Sequence, residues 1–367
     1  MKSFVKILVS IITLFLIRSV TVNADVNNKT LAILVNESDP ESLEIGKYYQ
    51  KARNIPTKNI IYLNFEHDNN DLSVSEFREI EKQLNKKVGD KIQVYALAWR
   101  KPWRVGCMSI TSAFTLGFDE SYCAKGCKLT KPVEYFNSLS YFPYRDYKIR
   151  PSMMLSGGSL KNVKKLIDNG VAADYSRPVG TAYLMDTSDK QRNVRKIYYP
   201  LIQKSLNSLL KVKIIEANEI KNANDVLFYF TGQKKVRWVG DNYYLPGAIA
   251  DHLTSTGGHL FDGRQMSVIE WIDSGVTGSY GAVKEPCNFV QKFPNPGIVM
   301  QNYLSGETLI ESYWKSVKMP GQGVFVGEPL ANPYKGCLIV KNDKGNAQFL
   351  NSKSIDNYVA KSSKNCN

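Results

Sequence analysis

Short apolar runs alternate with capped, amphipathic helical stretches along most of this chain. Leu31–Val35 is an apolar run of the length of a buried strand. Ser38 and Pro40 then mark a helix start, with a capping side chain followed by proline in the first turn, and this helix extends to about Arg53. Asn59–Leu63 supplies a second strand. This β-α-β order predicts a parallel sheet, because the helix returns the chain to the edge where it started.

The same alternation continues towards the carboxyl end. We predict further helices at 73–87, 160–169, 193–210, 246–254 and 266–274, and further strands at 92–98, 152–155, 180–185, 212–215, 225–230, 278–283 and 323–326. The predicted fold class is therefore α/β, with a doubly wound and mostly parallel sheet.

Residues 100–150 interrupt the alternation with a stretch rich in aromatic residues, glycine, proline and cysteine. So long an irregular stretch in a compact domain is usually a binding loop or a stapled insertion, and we expect a surface excursion held by its own disulfide. Trp99–Trp103 and Tyr135–Tyr147 either form a surface for sugar rings or peptides, or pack the excursion against the sheet.

The amino terminus has the three parts of a secretory leader. Lys2 and Lys6 precede the apolar run Ile7–Ile17, and Val22–Ala24 ends in a small residue, so we expect cleavage after Ala24. A retained anchor is the alternative, but the run has about half of the ~20 residues that a membrane helix needs. We divide the chain into a signal peptide (1–24), an amino-terminal α/β half (25–215), a carboxy-terminal half (216–335) and a polar tail (336–367), and expect a periplasmic or extracellular protein without a membrane anchor.

All six cysteines follow the predicted leader: Cys107, Cys123, Cys127, Cys287, Cys337 and Cys366. Six cysteines in an exported chain suggest disulfides, whose pairing the sequence does not determine. We expect at least one bridge within the segment that holds the first three. Zinc is the competing interpretation of that cluster, but no histidine lies near it, and we predict neither a metal nor a cofactor.

The formal net charge is +14, and loss of the leader with its three basic residues would reduce it to +11. Such a surface attracts polyanions, for example an anionic envelope polymer. The basic residues are scattered and accompany no recognised nucleic-acid module, so we do not expect specific nucleic-acid binding.

Ligands of open parallel sheets bind beyond the carboxyl ends of the strands. That rule selects the loops 156–159, 231–233, 285–287 and 327–329. The first is glycine-rich and could hold a phosphate, but it lacks the Walker lysine, and a tight turn is the alternative.

Several blocks resemble an uncharacterised family of exported bacterial proteins. They are the opening β-α-β unit and residues 109–118, 246–255, 278–288, 305–314 and 327–330. More distantly, the carboxy-terminal half is similar to gingipain-type, caspase-like cysteine peptidases, in which a strand with a Gly-Ala-Val-like phrase, a helix opened by Gly-x-Thr-Leu and a final strand ending in Gly-Asp-Pro are typical. The last phrase is Gly327-Glu328-Pro329 in this chain. The resemblance implies a caspase-related, doubly wound fold.

The resemblance also implies a His-Gly pair after one strand and a nucleophilic cysteine after the next. At the first position this chain has Thr231-Gly232-Gln233. Cys287 follows a different strand, and could act as a nucleophile with His252 or His259. The alternatives are that Cys287 is bonded to Cys337 or Cys366, that His252 is a hydrogen-bonded residue inside a helix, and that His259 lies in an exposed turn.

Carboxylate-based hydrolysis is a second enzymatic possibility, with Asp241, Asp251, Asp262 and Glu285 in the same half of the chain. Our leading hypothesis is a non-catalytic binding protein on a degenerate peptidase-like fold, and an atypical cysteine hydrolase is the alternative. The candidate ligand-binding residues are Gln233, Trp238, Asp241, Asp251, Glu285, Asn288 and Glu328.

Overall fold

A ten-stranded sheet forms the centre of the part of the chain that the structure describes. The computed structural model describes residues 26–337, 339–341 and 347–349. The predicted leader therefore lies outside the described residues, as does most of the predicted tail. Strands from both predicted halves of the chain contribute to this one sheet.

The strands are β1 (Leu31–Asn36), β2 (Ile60–Leu63), β3 (Asp71–Leu72), β4 (Val94–Leu97), β5 (Arg104–Val105), β6 (Met108–Ser109), β7 (Ser152–Met154), β8 (Thr181–Met185), β9 (Lys211–Ile215), β10 (Val226–Thr231), β11 (Tyr244–His252), β12 (Gly278–Ala282), β13 (Gly323–Gly327), β14 (Ile339–Lys341) and β15 (Ala347–Phe349). The helices are α1 (Pro40–Arg53), α2 (Val74–Lys87), α3 (Ile110–Leu116), α4 (Pro143–Tyr147), α5 (Leu160–Ala173), α6 (Tyr199–Leu206), α7 (Val268–Asp273), α8 (Pro296–Leu304) and α9 (Leu309–Trp314). The order in the large sheet is β2-β1-β4-β7-β13-β12-β11-β10-β8-β9, and β3-β5-β6 and β14-β15 form two small sheets.

Local capping explains why the first helices begin where the sequence predicts. The Asp39 side chain accepts a hydrogen bond from the backbone N–H of Glu41 at the start of α1, with Pro40 in the first turn. Ser73 and Glu76 form a capping box at the start of α2. These side chains satisfy backbone N–H groups that the helix itself leaves unpaired.

Most neighbouring strands of the large sheet are parallel, which confirms the predicted fold class. β1 is parallel to β2 and β4, and β10 is parallel to β8 and β11. The pair β12–β13 is antiparallel over five residue pairs, from Gly278 opposite Gly327 to Ala282 opposite Gly323. The loop 327–329 therefore lies beside the amino end of β12, at the opposite edge from the loop 285–287. The expectation that all four selected loops share one edge is wrong, because β13 is antiparallel to β12 but parallel to β7. The loops 156–159 and 327–329 follow β7 and β13 at one edge, and the loops 231–233 and 285–287 follow β10 and β12 at the other.

The prediction of a helix at 246–254 is also wrong, since these residues belong to β11. This strand lies between β10 and β12. Gly247–His252 is buried throughout, so the run shows no alternation of polar and apolar residues. A strand covered on both faces cannot be distinguished from a buried helix by periodicity alone.

The predicted helix at 193–210 is split in the structure. Residues Asn193–Tyr198 form a 3₁₀ helix, and α6 follows directly with Pro200 in its first turn. Proline is tolerated there because the first N–H groups of a helix have no intrahelical partner.

The irregular segment 100–150 is more closely integrated than the predicted surface excursion. Its helix α3 packs on β7 and β13, and Ile110–Thr115 is buried. The expected bridge within the segment is present, between Cys107 and Cys123. The aromatic residues Trp99, Trp103 and Tyr135 are fully buried, which favours the packing interpretation for these three side chains.

We predict that Gly258→Ala destabilises the fold, because no space exists for a side chain between the loop after β11 and β12. A Cβ atom at Gly258 would stand 2.8 Å from the carbonyl carbons of Gly281 and Ala282. A Cβ atom at Gly89 would have no atom of the described residues within 4 Å. Overpacking against backbone costs about 1–3 kcal/mol. Urea unfolding should show such a loss for Gly258→Ala and none for Gly89→Ala, and equal midpoints for the two variants would contradict the prediction.

Candidate functional site

The carboxyl ends of β10 and β11 lie side by side. Phe230 pairs with Asp251, and Thr231 pairs with His252. The resemblance to cysteine peptidases implies a His-Gly pair after one strand and a cysteine after the next. At these ends the structure has Thr231-Gly232 and Asp251-His252.

A buried ion pair joins these strand ends to the 3₁₀ helix before α6. Arg195 Nη1 lies 2.5 Å from Asp251 Oδ1, and both side chains are 1% exposed. Arg195 Nη2 also donates to the backbone oxygen of Thr231 at 2.7 Å. Burial raises the pKa of Asp251 to about 6, against the opposing effect of Arg195. Arg195 therefore both neutralises a buried carboxylate and pairs with the last carbonyl of β10.

His252 is fixed in one tautomer by its two hydrogen bonds. Trp271 Nε1 donates to His252 Nδ1 at 2.9 Å, and an indole N–H can only donate. The proton of the neutral ring therefore resides on Nε2, which lies 3.0 Å from the backbone oxygen of Met266. Burial lowers the pKa of His252 to about 4, so the ring is neutral at pH 7. His252 ends a strand rather than lying in a helix, but the expectation of a hydrogen-bonded residue is met.

The loop after β10 is closed by close backbone packing. A Cβ atom at Gly232 would stand 2.8 Å from the backbone nitrogen of Asn193. Arg192 then donates to Thr254 Oγ1 at 3.1 Å, and Thr254 donates to Gln265 Oε1 at 2.7 Å. Gln233, which follows Gly232 in the chain, is half-buried. Its Nε2 has no hydrogen-bond partner among the described residues.

Cys287 is bonded to Cys127, a pairing that differs from the expected alternatives, Cys337 and Cys366. The two residues are 160 positions apart, with Cα atoms 5.5 Å apart. The bridge ties the segment after α3 to the loop after β12. Its sulfur is therefore not a thiolate, which is the form that attacks carbonyl groups. Cys337 is also disulfide-bonded, and Cys366 lies outside the described residues.

Glu285 and Asn288 flank Cys287 in the same loop. Glu285 Oε1 accepts a hydrogen bond from the backbone N–H of Cys287 at 2.8 Å, and Cys287 has a left-handed backbone with φ of 51°. Glu285 and Asn288 are exposed. The carboxylate of Glu285 thus stabilises a tight turn at the disulfide.

His259 packs against an aromatic ring and is not the exposed turn residue that the sequence predicts. Its ring centroid lies 4.8 Å from that of Trp103. His259 Nδ1 lies 3.4 Å from Asp262 Oδ1, and Nε2 lies 3.1 Å from the backbone oxygen of Val283. Both ring nitrogens therefore face oxygen atoms of other residues.

Trp238 and Asp241 lie at the amino end of β10 and β11, away from the strand ends described above. Tyr243, close to both, pairs through its carbonyl with the N–H of Val226, the first residue of β10. Lys221 Nζ lies 3.9 Å from the Trp238 ring centroid and 3.4 Å from Asp241 Oδ2. One lysine therefore contacts both candidate residues.

The candidate carboxylates of the hydrolysis hypothesis have different partners. Asp241 pairs with Lys221, Asp251 with Arg195, and Asp262 with His259, while Glu285 accepts from Cys287. Each has an evident structural role, and Asp241 lies at the other edge of the sheet.

Glu328 is fully buried just after the carboxyl end of β13, beside the amino end of β12. Tyr49 donates to Glu328 Oε1 at 2.5 Å, and Arg53 Nε donates to the same oxygen at 3.0 Å. Arg53 also pairs with Asp174. The Gly-Glu-Pro phrase that the sequence selected therefore holds a buried ionic network.

One exposed turn carries three possible metal-ligand atoms that the sequence analysis did not select. These belong to Glu66, His67 and Asp68 and lie within 4.8 Å of one another. Glu66 Oε1 also accepts from the backbone N–H groups of His67 and Asp68. A local turn is sufficient to explain this arrangement.

Sequence reasoning missed Arg195 and Trp271, the residues that determine the states of Asp251 and His252. Arg195 is one of 48 basic residues in the chain, and nothing in its neighbourhood marks it as buried. Trp271 lies in the predicted helix 266–274, and the sequence does not indicate that its indole N–H binds His252. Contacts between distant parts of the chain leave no local signal.

No family model matches the chain, and no curated protein matches it. A solved structure described as "Structure of Protease" aligns with a TM-score of 0.45 at 14% identity, over 86% of this chain and 81% of its own. Among the described residues, no helix is long and apolar enough to cross a membrane.

We predict that His252 makes stability depend on pH, and that His252→Gln removes this dependence. Its pKa is about 4 in the folded protein and about 6.5 when unfolded. The unfolded chain therefore binds more protons between these values, and stability falls as pH decreases from 6.5 to 4. The loss is about 3 kcal/mol.

Asp251 has a raised pKa and contributes in the opposite direction over part of this range, so the wild-type curve alone does not isolate His252. The measurement is the difference in unfolding free energy between wild type and His252→Gln, by urea titration at pH 4 to 7. His67→Gln, at a partly exposed position, is the control. A difference that stays constant with pH would contradict the prediction.

We predict that Asp251→Asn strongly destabilises the protein, because it leaves the charge of Arg195 buried without a carboxylate. Breaking one partner of a buried pair costs about 3–5 kcal/mol. Asp241→Asn removes an exposed carboxylate paired with Lys221 and should cost less than about 1 kcal/mol. Urea unfolding of both variants at pH 7 tests this. Similar losses of unfolding free energy would show that the buried pair stabilises the protein no more than the exposed one.

Proposed function

We propose that this chain is an exported, non-catalytic binding protein whose peptidase-like site has been converted to structural use. The observation that carries the proposal is that both ring nitrogens of His252, at the end of β11, are hydrogen-bonded. Nδ1 accepts from Trp271, and Nε2 pairs with the backbone oxygen of Met266. A general base must offer a lone pair to the proton that it removes. The lone pair of His252 already accepts from a buried indole.

The state of Cys287 supports the same proposal. Its sulfur is bonded to Cys127, and the nearby Glu285 holds its backbone. Disulfides persist in oxidising compartments, so the bridges fit the export that the leader predicts. The basic charge and an anionic partner remain a separate prediction.

The alternative of a cysteine hydrolase is tested by thiol mapping together with activity. We expect Cys287 to resist alkylation in the untreated protein and to react after reduction with the pH dependence of an ordinary thiol, whose pKa is about 8.5. A library of fluorogenic peptides should not be hydrolysed before or after reduction.

The matched variant for this test replaces both bridge residues, as Cys127→Ala with Cys287→Ala, because a single replacement would leave a new free thiol. Wild type and this variant should be equally inactive. The proposal is overturned if the wild type hydrolyses a peptide and this activity is lost both in the double cysteine variant and in His252→Gln or His259→Gln.

A further inference from the structure

A cavity of about 290 Å³ lies beside the amino end of β1, away from the carboxyl ends of β10 and β11. Its walls come from five parts of the chain: the residues before β1, the end of α1, the end of α5, Thr308 at the start of α9 and the segment after β13. The volume is at the lower end of the range of ligand pockets, about 300–1,000 Å³. The cavity therefore suits a small metabolite rather than a polymer.

The charge of Arg53 on this wall is already neutralised. Its guanidinium pairs with both Glu328 and Asp174. Asp174 Oδ1 also accepts from the backbone N–H of Asn332 at 3.0 Å. Burial raises the pKa of Asp174, although Arg53 opposes this effect. The carboxylate is 26% exposed and has lone pairs left for a further donor.

Asn332 lines the cavity next to Asp174. The residue is 1% exposed, and its Nδ2 donates to the backbone oxygen of Gly306 at 2.7 Å, which fixes the orientation of the amide. Its Oδ1 has no hydrogen-bond partner among the described residues. The residue thus adds a polar group to the wall beside Asp174, whose carboxylate accepts from the Asn332 backbone.

Lys335 supplies the opposite charge to the same cavity. Its Nζ lies 5.3 Å from the centroid of the Tyr175 ring. Within the described part of the chain, no ion pair includes Lys335, whereas Arg53 has two. An anionic group of a ligand is the natural partner for such a lysine.

We propose that this cavity binds a free α-amino acid with an apolar side chain, an inference that names a ligand class for the proposed binding function and rests on it. The ammonium group donates to the partly exposed carboxylate of Asp174, and the carboxylate pairs with Lys335. The side chain packs against the apolar part of the wall, which comprises Val26, Ala52, Val171 and Leu330. An uncharged sugar would leave Lys335 without a counter-charge.

The test is isothermal titration calorimetry on the full chain. The probes are L-leucine and three other apolar amino acids, followed by N-acetyl-leucine, leucinamide and glucose. We expect saturable binding of at least one amino acid, and at least tenfold weaker binding of the derivatives that lack the ammonium or the carboxylate. No saturable heat with any amino acid, or equal affinity for leucinamide or glucose, overturns the inference.

Lys335→Gln provides the second measurement. Within the part of the chain that the structure describes, this half-buried side chain makes no hydrogen bond whose loss would unfold the protein. It should weaken amino acid binding at least fivefold and remove the preference for leucine over leucinamide. Lys161→Gln, on the exposed side of α5, is the matched control and should bind as wild type does. Unchanged affinity in Lys335→Gln overturns the assignment of the carboxylate. Failure of binding here leaves the thiol and activity results for Cys287 unaffected, so the two proposals can fail separately.

Discussion

The ion pair between Arg195 and Asp251 holds the carboxyl ends of β10 and β11 together with the 3₁₀ helix before α6. Both side chains are almost completely buried, and removing a charge from water is tolerated only when a close opposite charge and hydrogen bonds compensate it. Arg195 meets that condition and also donates to the last carbonyl of β10. The 3₁₀ helix before α6 is thereby held against the strand ends. The backbone of residues 192–193 packs closely against Gly232 at the same strand end.

The histidine beside this pair is kept neutral by its buried surroundings. His252 is neutral at pH 7 because burial disfavours its charged form. Its hydrogen bonds link β11 to Trp271 within α7 and to Met266 in the loop just before α7. The same imidazole exposed to water would be an effective base near neutral pH. The chemistry of the residue is therefore decided by its surroundings and not by its type.

Features that depend on neighbouring residues could be predicted, and features that depend on distant residues could not. The β-α-β unit from Leu31 to Leu63 was predicted because its caps and apolar runs are local. β11 was mistaken for a helix because both of its faces are buried, and the direction of β13 depends on a partner that the local sequence does not specify. Asp251 and His252 were selected as candidates, but Arg195 lies 56 positions from Asp251 and carries no local signal. The pairing of Cys127 with Cys287, across 160 positions, has the same origin.

Reduction of the bridge between Cys127 and Cys287 would not by itself create a catalytic pair. A thiol needs a base that can take its proton, and the candidate base at the end of β11 holds its lone pair towards Trp271. Turning the ring would leave the buried indole N–H unpaired, at a cost of about 1–3 kcal/mol. His259 is held separately, between Asp262, Val283 and the ring of Trp103. Neither histidine has Cys287 among these partners, so both are restrained independently of its redox state. Loss of the disulfide therefore removes the covalent link between two loops. It leaves the hydrogen bonds of His252 and His259 in place.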